Sequence, residues 1–227
     1  MTRGPTLRAQ LAALHAHRVA TWDPAALQVN IDQRAALVER AKHAAFVQAG
    51  DTVADFQVPE VDGATLSLGT LLASGPLVLV FFRFAGCPAC NIALPYYRDQ
   101  LAPGLRELGA TLLALSPQVP ERLVEIKRRH QLDFLVASDP DNALGRRFGI
   151  LYSYDEPSRR AALAQGRPIG EVTGTGTWEL PMPTAIVIDP RRVVRFADVS
   201  PDWLARTEAE DILAAVRALA RSSGVAA

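Results

Sequence analysis

The segment LVLVFFRFAGCPACN, residues 77–91, joins an unbroken apolar run to two cysteines separated by two residues. From Leu77 to Phe84 the run is rich in β-formers and follows Gly75-Pro76, which predicts a central strand buried on both faces. Beyond Gly86, Cys87 takes the cap of a helix and Pro88 its first position, where a missing N–H costs nothing. Cys90 then falls in the first turn. Both sulfurs lie near the positive helix end, where free backbone donors favour thiolate over thiol, and Arg83 adds a fixed positive charge. Two intervening residues let a disulfide close within one turn, so the pair can cycle between dithiol and disulfide with little backbone movement.

Working outward, Ala110 to Leu115 reads as a second strand, Pro120 to His130 as an amphipathic helix and Phe134 to Ala137 as a third strand. Two successive crossover units imply parallel pairing. A helix at Asn142 to Phe148 is followed by a polar, glycine-containing stretch, Tyr152 to Glu179, that reads as a functional or mobile loop. The run GTGT at Gly174 to Thr177, beside Trp178, lies in that loop and lacks the strand-to-helix setting of a phosphate site. Ala185 to Ile188 and Val193 to Ala197 form a hairpin around Asp189-Pro190-Arg191, and Glu208 to Ala220 closes the chain as a helix. On the amino-terminal side, Leu7, Leu11, Leu14 and then Ile31, Ala35 and Leu37 recur at near-helical spacing. This predicts a helical arm from Thr6 to Ala49, broken at Asp23-Pro24. The expected architecture is α/β, a sheet covered by helices, with the arm at residues 1–50 and a redox domain at 51–227. The arm has an apolar face to bury, against its own domain or against a second copy in a homodimer.

Composition narrows the function. Lysine plus arginine and aspartate plus glutamate number 24 each in 227 residues. The balance argues against nucleic acid or an anionic membrane as partner. The amino terminus carries no apolar signal core, and no run approaches the length of a membrane span, so a cytoplasmic protein is expected. Two cysteines in a reducing compartment point to redox or metal chemistry. Zinc would need two further ligands; His130 is remote in sequence, and His15, His17 and His43 read as surface residues, so no metal and no cofactor are expected. The bland alternative, two small hydrophobes near a strand end, sits poorly with their position at a helix start.

A second element is ELPMPTAIVID, residues 179–189, in which Pro183 stands just before an apolar strand. In a fold with a redox pair this proline is expected to be cis and to lie opposite the disulfide, with Met182 offering its backbone to an extended substrate. The alternative for Pro181 and Pro183 is a stiff approach to the strand. Arg195, Asp198, Asp202 and Trp203 cluster at a strand exit and read as surface salt bridging.

Together the helical arm, GDTVADFQVPEVDGATLSLGTLL, FFRFAGCPACN and LPMPTAIVIDPRRVVRFADVSPDW resemble the peroxiredoxin-like branch of the AhpC/TSA family over nearly the whole chain. The resemblance implies a thioredoxin-like, peroxiredoxin-type fold with a central mixed sheet. It also implies reduction of a hydroperoxide through a cysteine sulfenic acid, with an external dithiol such as a thioredoxin-type protein as reductant. Cys90 falls where that family has its peroxide-attacking cysteine, and Cys87 replaces the threonine three positions before it. Arg83 stands for the shielding proline, Ala93 for an acidic residue and Pro183 for an arginine. Matched instead to thioredoxins, Cys87 is the attacking cysteine, Cys90 the resolving one and Pro183 the facing proline. A disulfide reductase, or a redox sensor that uses the pair only to change shape, therefore stands beside the peroxidase.

Overall fold

The computed structural model describes residues 4–224. In chain order the elements are α1 (Leu7–Thr21), α2 (Pro24–Ala41), β1 (Gln57–Pro59), β2 (Thr65–Ser67), α3 (Leu68–Leu72), β3 (Leu77–Phe81) and α4 (Pro88–Gln100). They continue with α5 (Ala102–Glu107), β4 (Thr111–Ser116), α6 (Pro120–Arg129), β5 (Leu135–Ser138), α7 (Ala143–Arg147) and β6 (Leu151–Ser153). The last are α8 (Glu156–Ala164), α9 (Ile169–Thr173), β7 (Glu179–Pro181), β8 (Thr184–Ile188), β9 (Val194–Val199) and α10 (Ala209–Gly224).

Five strands make the central sheet, in the order β5-β4-β3-β8-β9. β3, β4 and β5 pair in parallel, with Leu79 opposite Leu113 and Leu115 opposite Ala137, whereas β8 and β9 run antiparallel. All five residues of β3 are buried, as its apolar composition requires of a central strand. Alternation then sorts its side chains: Leu77, Leu79 and Phe81 enter one core with α3 and Phe148, while Val78 and Val80 enter the other with α4 and α10. Leu7, Leu11 and Leu37 of the amino-terminal helices join the second core, whereas Val19, Trp22, Ala35 and Val38 of the same arm stay exposed. Asp23 caps α2, accepting from the Ala26 amide at 3.0 Å, with Pro24 in the first turn; the break read at this dipeptide is a helix start.

Three segments depart from the sequence reading. The arm stops being helical at Ala41, and the chain then crosses to the core, where the Val47 amide donates to Phe148 O at 2.9 Å. The strand predicted to reach Phe84 ends at Phe81; from Arg83 side chains replace the ladder, Ser116 donating to Arg83 O and Gln118 accepting from the Ala85 amide. The stretch from Tyr152 to Glu179 is not a bare loop. Asp155 caps α8 by accepting from the Ser158 amide at 3.0 Å, α9 follows, and β6 pairs with β7. Within it, Gly174 caps α9 at φ +79°, a conformation open to glycine. The hairpin of β8 and β9 turns on Asp189, whose carboxylate accepts from the amides of Arg191 and Val193 and pairs with Arg195 at 2.8 Å.

Candidate active site

α4 begins where the sheet ends. Cys87 is its cap and Pro88 opens the first turn; Cys90 lies within that turn, and both cysteines are free thiols buried at 1% and 0% exposure. Besides Ser116 and Gln118, Asn91 holds the loop before the helix: its Nδ2 donates to Ala85 O at 2.7 Å and to Cys87 O at 2.9 Å. A cysteine side chain does not cap its own helix here, so the first-turn donors remain available to a negative sulfur.

Arg83 lies buried on the loop, and its Nη1 comes within 3.9 Å of Cys87 Sγ. Its other arm donates to the Tyr154 hydroxyl at 2.6 Å, and its guanidinium stacks 4.4 Å over the Trp203 ring. Arg206, from the turn before α10, reaches Cys90 Sγ at 3.8 Å through Nη2. Two cations therefore face two sulfurs. The hydrogen bond from the Cys90 thiol, with Arg83 and Arg206 nearby, outweighs burial and holds the Cys87 thiol well below the usual thiol range. Burial in turn pushes the Cys90 thiol up, and the neighbouring Cys87 adds to this. The pair is thus arranged as one thiolate and one thiol donating to it.

Gly86 and Pro88 flank Cys87 and line a cleft with Arg83. Pro183 does not line that cleft; it borders a small cavity with Phe82, Ala93 and Arg206, the arginine that reaches Cys90. The expectation of a cis-proline is corrected, since no cis peptide occurs among the described residues. Met182 is buried just after β7; its amide donates to Ile150 O at 2.7 Å and its carbonyl accepts from Thr184 Oγ1, two residues further on, at 2.9 Å. Trp203 is not a surface residue; it is 2% exposed and donates through Nε1 to Gln33 Oε1 at 3.1 Å. Asp202 pairs with Arg34 of α2 at 3.0 Å. Arg206, Trp203, Tyr154 and Asn91 all belong to the site and were missed. Only Asn91 carried a signal, as a short amide side chain next to a helix start, where it competes for backbone groups.

A free dithiol at the start of the helix following the central strand of a mixed sheet defines a thiol oxidoreductase of thioredoxin-like fold. Comparison with known proteins narrows the class. Residues 49–197 match the model of the AhpC/TSA family. The crystal structure of peroxidoxin BcpB from Mycobacterium tuberculosis is 27% identical, superposes with a TM-score of 0.58, and covers 76% of this chain and 97% of its own. Peroxiredoxin Bcp of Escherichia coli K12 is 30% identical over 105 residues, 46% of this chain and 65% of the relative. A peroxiredoxin-like protein of Aquifex aeolicus, 14% identical with a TM-score of 0.59 over 77% of this chain and 88% of that one, shares the fold. The chain belongs to the AhpC/TSA family. It is a peroxiredoxin-like, thiol-dependent peroxidase, and the helices α1 and α2 lie outside the residues that match the family.

Proposed function

We propose that Cys87 is the attacking sulfur and Cys90 the resolving one. The observation that carries this is the Arg83 guanidinium 3.9 Å from Cys87 Sγ at the helix cap, with the Cys90 thiol donating to the same sulfur. In the first step the Cys87 thiolate bonds to the terminal oxygen of a hydroperoxide. The O–O bond breaks, the released alkoxide takes up a proton and leaves as the alcohol, and Cys87 is oxidised to the sulfenic acid. Cys90 sulfur then bonds to Cys87 sulfur. The sulfenic oxygen departs with the Cys90 proton as water, leaving the disulfide. An external dithiol, of the thioredoxin type, restores both thiols and is itself oxidised. In this reading residues 1–50 are an arm added to the redox domain of 51–227, the protein works in the cytoplasm, and a homodimer is compatible with it. No described helix is long and apolar enough to cross a membrane.

One observation favours a second reading. A thiolate at the first cysteine of the pair is the thioredoxin arrangement, and it suits attack on a disulfide as well as on a peroxide. Stopped-flow oxidation of the reduced protein by an alkyl hydroperoxide and by a protein disulfide separates the two. We expect fast peroxide oxidation that survives in Cys90→Ser, which accumulates sulfenic acid, and is lost in Cys87→Ser. Survival in Cys87→Ser would overturn the assignment of the nucleophile. Slow peroxide oxidation beside fast disulfide exchange would make the protein a reductase.

A further inference from the structure

A cleft of about 490 Å³ lies beside the redox pair, walled by α1 and α2 on one side and by α8 and α9 on the other. Its size falls within the ~300–1,000 Å³ of sites that hold small organic molecules. The charged residues lining it are Arg18, Arg83 and Arg167, and no carboxylate lines it. Four aromatic residues, Trp22, Phe84, Tyr154 and Trp203, also line it. Arg18 is 3% exposed; its guanidinium lies 4.8 Å over the Trp22 ring and 5.6 Å over the Trp203 ring, and its Nη1 is buried without a hydrogen-bond partner. Arg83 Nε, Asn30 Oδ1 and Gln33 Nε2 are likewise buried without partners, and all three residues line the same cleft. Unsatisfied buried polar atoms are costly, and three donors, on Arg18, Arg83 and Gln33, with one acceptor, Asn30 Oδ1, converging on one apolar cavity mark a place built for a polar group on an apolar body.

We propose that this cleft binds an organic acid, a carboxylate on an apolar ring-bearing body, with Arg18 as its anion receptor. The sign follows from the lining, three arginines and no carboxylate: beside Arg18 stand Arg83 and Arg34, and the Cys87 sulfur is the anion that attracts it there. The aromatic lining takes the hydrocarbon part. Because Arg83 both lines the cleft and touches Cys87 Sγ, an acid seated on Arg18 lies one guanidinium from the nucleophile. Arg18 belongs to α1, outside the family-matched residues, so the site is an addition made by the arm. As a statement about the reacting molecule, this rests on the peroxidase reading; as a binding site it does not.

The test uses naphthalene-2-carboxylate and its neutral carboxamide on the full reduced chain. Binding is read by calorimetry and by the fluorescence of Trp22 and Trp203. The acid is expected to bind, and the carboxamide to bind about 10- to 100-fold more weakly, as loss of a charge-assisted hydrogen bond requires. Arg18→Gln should weaken the acid by the same factor and leave the carboxamide unchanged. Ala162→Trp, which fills the cleft without altering charge, should abolish both. Equal affinity of acid and carboxamide, or no binding of either to wild type, overturns the proposal without any variant. Cys87→Ser keeps the two readings apart. Acid binding that persists in it while wild type fails to reduce any hydroperoxide leaves the cleft and removes the peroxidase. Peroxide turnover without acid binding does the reverse.

Discussion

Replacing Arg83 by methionine tests the electrostatic core of the site. The guanidinium lies 3.9 Å from Cys87 Sγ, buried with it. At that separation two unit charges attract by about 4 kcal/mol at an effective dielectric of ~20. Arg206 and Arg18 remain in the variant, and water admitted by the shorter side chain raises the local dielectric. About half the attraction, roughly 2 kcal/mol, is therefore expected to be lost. Since 1.4 kcal/mol is a factor of ten, the thiolate population below the titration midpoint falls about 30-fold. The experiment is best done in Cys90→Ser, which leaves one thiol and keeps a hydroxyl donor beside it. The rate of iodoacetamide alkylation of Cys87 is followed against pH, with thiolate ultraviolet absorbance as the independent readout. Arg83→Met should move the profile to higher pH and cut the rate at the acidic end by about that factor. An unmoved profile, with folding intact, would refute the claim that Arg83 holds the thiolate and leave the helix end as its sole support.

Removing Asn91 by Asn91→Ala deletes the two hydrogen bonds that tie Ala85 O and Cys87 O together and the one between Oδ1 and His130 Nε2; at ~0.5–1.5 kcal/mol each, urea unfolding should show a loss of about 1.5–4.5 kcal/mol, with oxidation slowed in parallel. Leu79→Ala, in the centre of the sheet at 0% exposure, should cost about 2–5 kcal/mol in the same assay and leave the alkylation profile of Cys87 in place. The stability of the reduced protein should depend on pH with a maximum near the ordinary thiol value. Below it the unfolded chain holds a proton that folded Cys87 has lost, so stability rises with pH; above it folded Cys90 keeps a proton that the unfolded chain has lost, so stability falls. Thermal melts of reduced wild type against Cys87→Ser and Cys90→Ser resolve the two limbs; a flat difference would contradict both shifts.

The sheet was legible because its strands are apolar runs without competition, and because β3 passes directly into a proline-opened helix. Pro88 marked the first helical turn, and Cys87 took the cap the structure shows. The stretch after Tyr152 was misread as a loop although Asp155-Glu156-Pro157 is a helix start; its polar composition masked the cap signal, and α8 buries only part of one face. Strand ends were harder. Phe82 and Phe84 extend the apolar pattern past Phe81, and nothing local in them announces that Ser116 and Gln118 will satisfy the backbone instead. The basic residues of the site were hidden for a more general reason. Arg18 comes from α1 and Arg206, with Trp203 beside it, from the turn before α10, and single-chain pattern reading assigns both arginines to a surface because arginines are there by default. Only tertiary packing brings them to the sulfurs.

The two templates that fit the cysteine pair name opposite nucleophiles, and local physics separates them. A sulfur at the cap faces donors that have no intrahelical partner, whereas one in the first turn sits behind the backbone of the helix itself. Arg83 reinforces the first position; Arg206 approaches the second, yet burial still keeps Cys90 protonated. The same asymmetry bears on the disulfide. Closing it removes the negative sulfur that Arg83 faces and leaves that guanidinium against Tyr154, Trp203 and the nearby Arg18, with no anion in contact. The reduced state is therefore the one the site stabilises, and such a dithiol makes a comparatively strong oxidant once oxidised. Arg83→Met should lower the reduction potential. If roughly 2 kcal/mol of thiolate stabilisation is lost, the shift is about 40 mV for a two-electron couple, measured by equilibration against a glutathione redox buffer. A potential that stays put would mean that other groups compensate Arg83 in the oxidised state, and an organic acid held in the cleft would then be the first candidate.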